Sequence, residues 1–299
     1  MTREQIFGSI LLLIVAFVWG LGFVFQRSGM EHIGPYTFNA GRFVLGALSL
    51  LPVIWLFGRK TDPVDRGAMW TASILAGLCF FGGITLQQVG IVYTTAGKAA
   101  FITGLYIVIV PVFSIALGFV ARWNVWVACL LALVGLFFLA ETGSFRLAYG
   151  DTLILICAVF WALQIIVVGL YAQRLDGPTF AFGQTLTVTV IAVPLALIME
   201  DHSWADLWAA KWALLFVGVI DTGFALTLQT LGQRRVPATP AGIILSLEAV
   251  FGALCGYLFL AEIITASMFF GGTLMLTAMI LAQLTLPPLF RRADPKGSL

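Results

Sequence analysis

A chain of 299 residues would ordinarily divide into about two soluble domains, but 61% hydrophobic residues, 10% charged residues and a mean hydropathy of +1.03 exclude a water-facing surface. A net charge of +2, from 16 basic and 14 acidic residues, leaves no cationic surplus for nucleic acid. The chain reads as an integral membrane protein.

A bilayer core of about 30 Å takes about 20 apolar residues of helix per crossing. Runs of that length predict spans at 6–26, 37–57, 67–92, 97–118, 123–140, 149–172, 179–199, 212–231, 239–260 and 264–286. They are too continuously apolar for the alternation of a membrane barrel, and helices satisfy their own backbone polar groups. The fold class is all-α, with ten transmembrane helices joined by short loops.

Span one follows Arg3 and has no small-x-small cleavage site behind it, so it reads as a retained span rather than a secretory signal. It carries Trp19 deep in the run. Span two holds Asn39, a buried polar group that needs a partner, and Arg42, which sits about one turn inside and can snorkel to the outer interface. Span three contains Gly82-Gly83, a packing or hinge pair, and ends in "ITLQQVG" with Gln87.

Span four opens on Lys98 near the outer face and continues through Phe101, Tyr106 and Pro111, with small residues at Ala96, Ala100 and Gly104. That spacing suits close helix packing. Trp123 and Trp126 at span five, and Trp204 and Trp208 beyond span seven, suit an interfacial belt. Span six brings Trp161 and Gln164; span seven contains Pro194, which like Pro111 can kink its helix.

Span eight carries Asp221 midway and then "LTLQTLG" with Gln229. Span nine repeats the small stripe at Ala238, Gly242 and Ser246, and places Glu248 on a face with Ala241, Leu245, Gly252 and Cys255. Glu248 lies about 14 Å from the start of its span. An acidic residue at that depth usually faces a cavity or a polar partner, so Glu248 is read either as a solute or proton site or as structural glue. Span ten contains Gly271-Gly272. The cysteines, Cys79, Cys129, Cys157 and Cys255, lack metal-ligand spacing and read as packing residues.

Basic residues set the orientation. Arg3, Arg59, Lys60, Arg66, Arg122, Arg174, Arg234, Arg235, Arg291, Arg292 and Lys296 fall on one side, against Arg27, Lys98, Arg146 and Lys211 on the other. Both termini are expected in the cytoplasm, in a multi-pass protein of the inner membrane.

An internal repeat organises the chain. Thr85, Leu86, Gln87 and Gly90 match Thr227, Leu228, Gln229 and Gly232 at an offset of 142 residues, and the same offset pairs Trp19 with Trp161 and Gly41 with Gly183. The halves are 1–145 and 146–299, with five spans each. Five is odd, so the second half is expected upside down, an arrangement that places a transporter's solute site near the midplane between the repeats. At this offset the mate of Glu248 is Tyr106, and that of Asp221 is Cys79.

The "FVWGLGFVF" opening, "TTAGKAAFITGLYIVIVPVF", and "LSLEAVF" followed by "LAE" together resemble the EamA branch of the drug/metabolite transporter superfamily over nearly the whole chain. That family commonly has a proline after the span-nine glutamate, where this chain has Ala249, which weakens any argument from a proline kink. The resemblance implies a ten-helix exporter of small metabolites with a cavity lined by spans 1, 3, 4, 6, 8 and 9. In size and aromatic content the chain is similar to the YddG-type aromatic amino-acid exporters.

An amino acid needs an acceptor for its amine, donors for its carboxylate and apolar walls. Glu248 and Asp221 are candidates for the amine; Gln87, Gln229 and Lys98 for the carboxylate; Trp19, Trp161, Tyr106 and Phe101 for the walls, with Gln164 behind them. Either acid is also a candidate proton carrier. No P-loop, H-E-x-x-H or G-x-S-x-G occurs, and His32 and His202 lie in loops, so neither ATP-driven transport nor an enzyme is expected, nor any cofactor or metal. The partners expected are a small-molecule substrate and the lipid bilayer. Carriers of drugs, nucleotide-sugars or lipids, and a channel-like facilitator, are the alternative readings.

Overall fold

The computed structural model describes residues 2–57, 63–93, 99, 102–119, 123–140, 149–201, 203–260 and 263–283. Lys98, Phe101, Ala96, Ala100, His202 and the basic residues Arg59, Lys60, Arg122, Arg146, Arg291, Arg292 and Lys296 lie outside the described residues.

The helices in chain order are α1 (Arg3–Gly29), α2 (Pro35–Phe57), α3 (Pro63–Val92), α4 (Tyr106–Ala116), α5 (Trp123–Ala140), α6 (Tyr149–Tyr171), α7 (Gly177–Met199), the short α8 (Trp204–Ala209), α9 (Lys211–Gln233), α10 (Ala238–Leu245), α11 (Glu248–Leu260) and α12 (Ala266–Gln283). Seven stretches are long and apolar enough to cross a membrane: α1, α2, most of α3, α6, α7, α9, and the Ala238–Phe259 stretch of α10 and α11. The fourth, fifth and tenth expected spans coincide with shorter apolar helices at Ile102–Ala116, Trp123–Phe138 and Ala266–Ala282.

Helix starts are chemically marked. The first four N–H groups of a helix lack intrahelical partners, and α1 meets two of these needs with a capping box in which Thr2 Oγ1 accepts from Gln5 N at 3.2 Å and Thr2 N donates to Gln5 Oε1 at 3.0 Å. Asp176 caps α7, accepting from Thr179 N at 3.1 Å. At α2 the cap comes from 163 residues away: Glu200, just past the end of α7, accepts from Thr37 N at 2.8 Å and Tyr36 N at 3.0 Å. Gly34 makes room, since a Cβ there would collide with the Glu200 carboxylate.

The ninth expected span is not the continuous helix that 3.6-residue spacing assumes. It breaks at Ser246 and Leu247, where Leu247 N bonds Ile244 O at 3.1 Å, and Glu248 becomes the first residue of α11. No proline is needed at Ala249 for this interruption. The face on which Glu248 was grouped with Ala241 and Leu245 is thereby divided. The fourth expected span breaks at Leu105, whose N–H bonds Ile102 O at 3.2 Å, so that Tyr106 becomes the first residue of α4. In α9, residues Phe216–Phe224 form a π-helical stretch, a widening that often accompanies function.

Helix α3 packs on α6 while α9 packs on α1; α2 packs on α7 and on the π-helical stretch of α9, and α5 packs on α12. Several crossings bring backbones together at glycine. A Cβ at Gly8 would stand 2.7 Å from Arg235 Cβ and 3.0 Å from Gly232 O; one at Gly150 would stand 2.7 Å from Gly90 O. Gly46 and Gly218 do the same for α2 and α9, since a Cβ at Gly46 would lie 3.1 Å from Gly218 O. That crossing delivers Arg42 to the π-helical stretch.

Candidate functional site

The crossing of α1, α3, α6 and α9 lines a cavity of about 30 Å³, to which α2, α4 and α11 also contribute walls. A water needs roughly 10–15 Å³ measured this way, so the walls must part before an amino acid can enter. Trp19, Phe23, Phe80 and Trp161 give it aromatic walls, and Gln26, Arg42, Gln87, Tyr106, Asp221 and Glu248 bring polar groups to it.

The strongest polar contact is an ion pair. Arg42 Nη2 donates to Asp221 Oδ2 at 2.5 Å, and Arg42 Nε donates to Thr222 Oγ1 at 3.3 Å. Arg42 and Asp221 are each 2% exposed. Taking two charges out of water is costly and is repaid only with good geometry and further hydrogen bonds. Trp19 Nε1 donates to the Asp221 backbone carbonyl at 3.1 Å, fixing the π-helical stretch against α1. Gly22 leaves α1 bare over the carboxylate, where a Cβ would collide with Asp221 Oδ1.

Across the cavity, Tyr106 donates through its hydroxyl to Glu248 Oε1 at 3.4 Å. That is long for an O–H···O bond, whose usual length is about 2.7–2.8 Å. The Trp19 and Trp161 rings lie 5.9 Å apart at 47°, within the range of favourable aromatic pairs.

Of the residues singled out from the sequence, Trp19, Gln87, Tyr106, Trp161, Asp221 and Glu248 come together around the cavity. Gln87 also donates to Thr103 Oγ1 at 3.2 Å. Gln164 and Gln229 are fully buried in an amide cluster instead: Gln229 Nε2 donates to Gln164 Oε1 at 3.0 Å, and Gln164 Nε2 donates to Gln184 Oε1 at 3.1 Å.

Arg42 was expected to snorkel to an interface; it faces the cavity instead, because Asp221 offers a carboxylate closer than water. It also adds the second span to the cavity walls, beyond the spans the family resemblance implied. An arginine inside a span is a functional candidate in its own right, and that signal was available. Nothing in the sequence distinguished Gln26, Phe23 or Phe80 from other span residues.

The model of the EamA-like transporter family matches this chain twice, over residues 6–140 and 148–284. The chain belongs to that family. It is similar to an uncharacterized transporter of Archaeoglobus fulgidus, 31% identical over 291 residues that make up 94% of this chain and 87% of the relative. The threonine/homoserine exporter RhtA of Salmonella typhimurium is 28% identical over 178 residues, 58% of this chain and 59% of its own length. A solved crystal structure superposes with a TM-score of 0.76 over 92% of this chain and 96% of its own, at 18% identity, which shows a shared fold. The chain is thus an all-helical, multi-pass membrane transporter of the EamA-like family.

Proposed function

We propose that this transporter is a secondary exporter of small amphipathic metabolites, amino acids including aromatic ones. It works by alternating access between two inverted five-helix halves, 1–145 and 146–299, with both termini in the cytoplasm. One observation carries the reading. Tyr106 and Glu248, and Trp19 and Trp161, are each 142 apart in sequence and each pair is in contact. Residues exchanged by a twofold axis touch each other only where they lie beside that axis. These contacts support a cavity lying on the axis of the repeat, the place where inverted-repeat transporters hold their solutes.

The paired helix breaks before Tyr106 and Glu248 support the same reading, as do the matches of the family model to 6–140 and 148–284 and the exchange of α3 on α6 for α9 on α1. The kinship with RhtA favours amino acids, while the aromatic walls favour flat or branched side chains. Among the described residues the cavity presents one cation, Arg42, already paired with Asp221, which argues against the phosphates of a nucleotide-sugar.

The test is counterflow in proteoliposomes with a panel of labelled amino acids, including threonine, homoserine and phenylalanine. Saturable exchange of at least one is expected; no saturable exchange of any removes the amino-acid reading. Among the described residues Asp221 and Glu248 are the acids facing the cavity, so proton coupling is part of the proposal. An imposed pH gradient should drive labelled solute against its own gradient, and a wild-type protein indifferent to pH would be a facilitator.

A further inference from the structure

Buried polar atoms without a partner are rare in folded chains, and each needs an explanation. Four of those found among the described residues belong to cavity-lining side chains: Arg42 Nη1, Trp161 Nε1, Asp221 Oδ1 and Gln26 Oε1. Two are donors and two are acceptors. An apolar solute would leave all four unmatched, and a simple anion or cation would match one kind while confronting the other. The matching ligand carries a donor head and an acceptor head side by side.

The repeat points to the same place independently. Gln164, Gln184 and Gln229 have Gly22, Arg42 and Gln87 as mates at the 142-residue offset. In the second half Gln164 bridges Gln184 and Gln229, with Gln164 Nε2 also donating to Gln229 Oε1 at 3.2 Å. In the first half Gly22 omits the bridging amide, a guanidinium replaces Gln184, and Gln87 turns to Thr103. A cluster of amides in one half is charged in the other.

We infer that this cluster binds the head group of a zwitterionic α-amino acid laid antiparallel across the Arg42–Asp221 ion pair. The solute carboxylate sits on Arg42 Nη1, and its ammonium on Asp221 Oδ1 with Glu248 as the second carboxylate. Trp161 Nε1 and Gln26 Oε1 supply the further donor and acceptor. The charges then alternate in sign around the platform, and the ion pair need not open. This rests on the transport reading above and adds to it the demand for both heads on one solute. A solute with a single head leaves a buried charge unmatched, and sites built to bond a polar group reject analogues lacking it, by up to about 10⁴-fold or more.

The experiment uses the full-length protein in proteoliposomes and counterflow of labelled serine, leucine and phenylalanine. Each is competed by its own amine and acid: ethanolamine and 3-hydroxypropanoate, 3-methylbutylamine and 4-methylpentanoate, 2-phenylethylamine and 3-phenylpropanoate. At least one amino acid should exchange saturably, with both its truncated analogues competing at least about 100-fold more weakly. Analogues that compete within about threefold overturn the platform and leave the transport reading standing. Failure of all three amino acids to exchange also overturns it, and transport itself falls only if the analogues do not exchange either.

R42Q and D221N each strand one buried charge and so can fail to fold. The double variant R42Q/D221N removes both charges and should remain monodisperse in detergent while losing amino-acid counterflow. Undiminished counterflow by that folded double variant refutes the assignment.

Discussion

Gly22 is the residue on which the site's geometry turns. It leaves α1 bare over Asp221 Oδ1, and the smallest added side chain collides with that oxygen. Gly22→Ala should therefore displace the carboxylate from Arg42, with a fall in counterflow much larger than any loss of helix propensity explains, since alanine is the better helix former. Full transport by Gly22→Ala would show that Asp221 has room to spare. Tyr106→Phe removes the hydroxyl facing Glu248 and, because that contact is long, should cost no more than about 0.5 kcal/mol, read as a small fall of the thermal midpoint in detergent. At this scale the sequence reading singles out two acids and two tryptophans that line one cavity, because charge and size stand out in an apolar run. It misplaced Arg42, because pairing over 179 residues leaves no local trace. It also gave Gln164 and Gln229 to the solute, because a buried amide looks the same whether it bonds a ligand or another amide.

Among the helices, the interruptions and the caps carry the argument. Ala249 stands where a proline would have explained a break, yet the helix breaks anyway, two residues before Glu248, by shifting to tighter i to i−3 bonding. Periodicity assumes an uninterrupted helix and could not show this. Helix existence and approximate bounds were legible from hydropathy alone, whereas the π-helical stretch of α9 had no signal in its composition. The caps differ in reach: Asp176 caps the helix that directly follows it, but the Glu200 cap of α2 depends on tertiary placement. Glu200→Gln keeps the shape and loses one of the two carboxylate oxygens that hold the α2 amides. It should lower stability by about 0.5–2 kcal/mol, measured by thermal unfolding in detergent, with Asp176→Ala giving a loss of similar size at α7.

At the scale of the whole molecule, two glycine crossings bring helix backbones together. On the two-halved reading, the Gly8 and Gly232 crossing of α1 with α9 is expected to close one side of the cavity, and the Gly150 and Gly90 crossing of α6 with α3 the other. Gly8 and Gly150, like Gly90 and Gly232, are mates at the repeat offset. Larger side chains should wedge one closure apart without touching the other. Cys157, fully buried in the core beside Trp161, is a native reporter of solvent entry. Gly8→Leu should raise its labelling by a membrane-impermeant thiol reagent from one side only, and Gly150→Leu from the opposite side only. Labelling from the same side in both variants would contradict inversion of the halves.

The Arg42–Asp221 pair also has a consequence for how the protein is made. A ribosome finishes Arg42 long before it reaches Asp221, and an unpaired arginine within a span is costly on the scale by which the translocon admits helices, up to about 2.5–3.5 kcal/mol at a span's centre and less nearer its end. Helix α2 is also the least hydropathic of the seven long candidate spans. During synthesis the second helix thus waits for a counter-charge that only the second half can bring. Residues 1–145 expressed alone should be degraded quickly, and co-expression of residues 146–299 as a separate chain should lengthen their lifetime in a pulse-chase measurement, an effect that D221N in the second fragment should weaken.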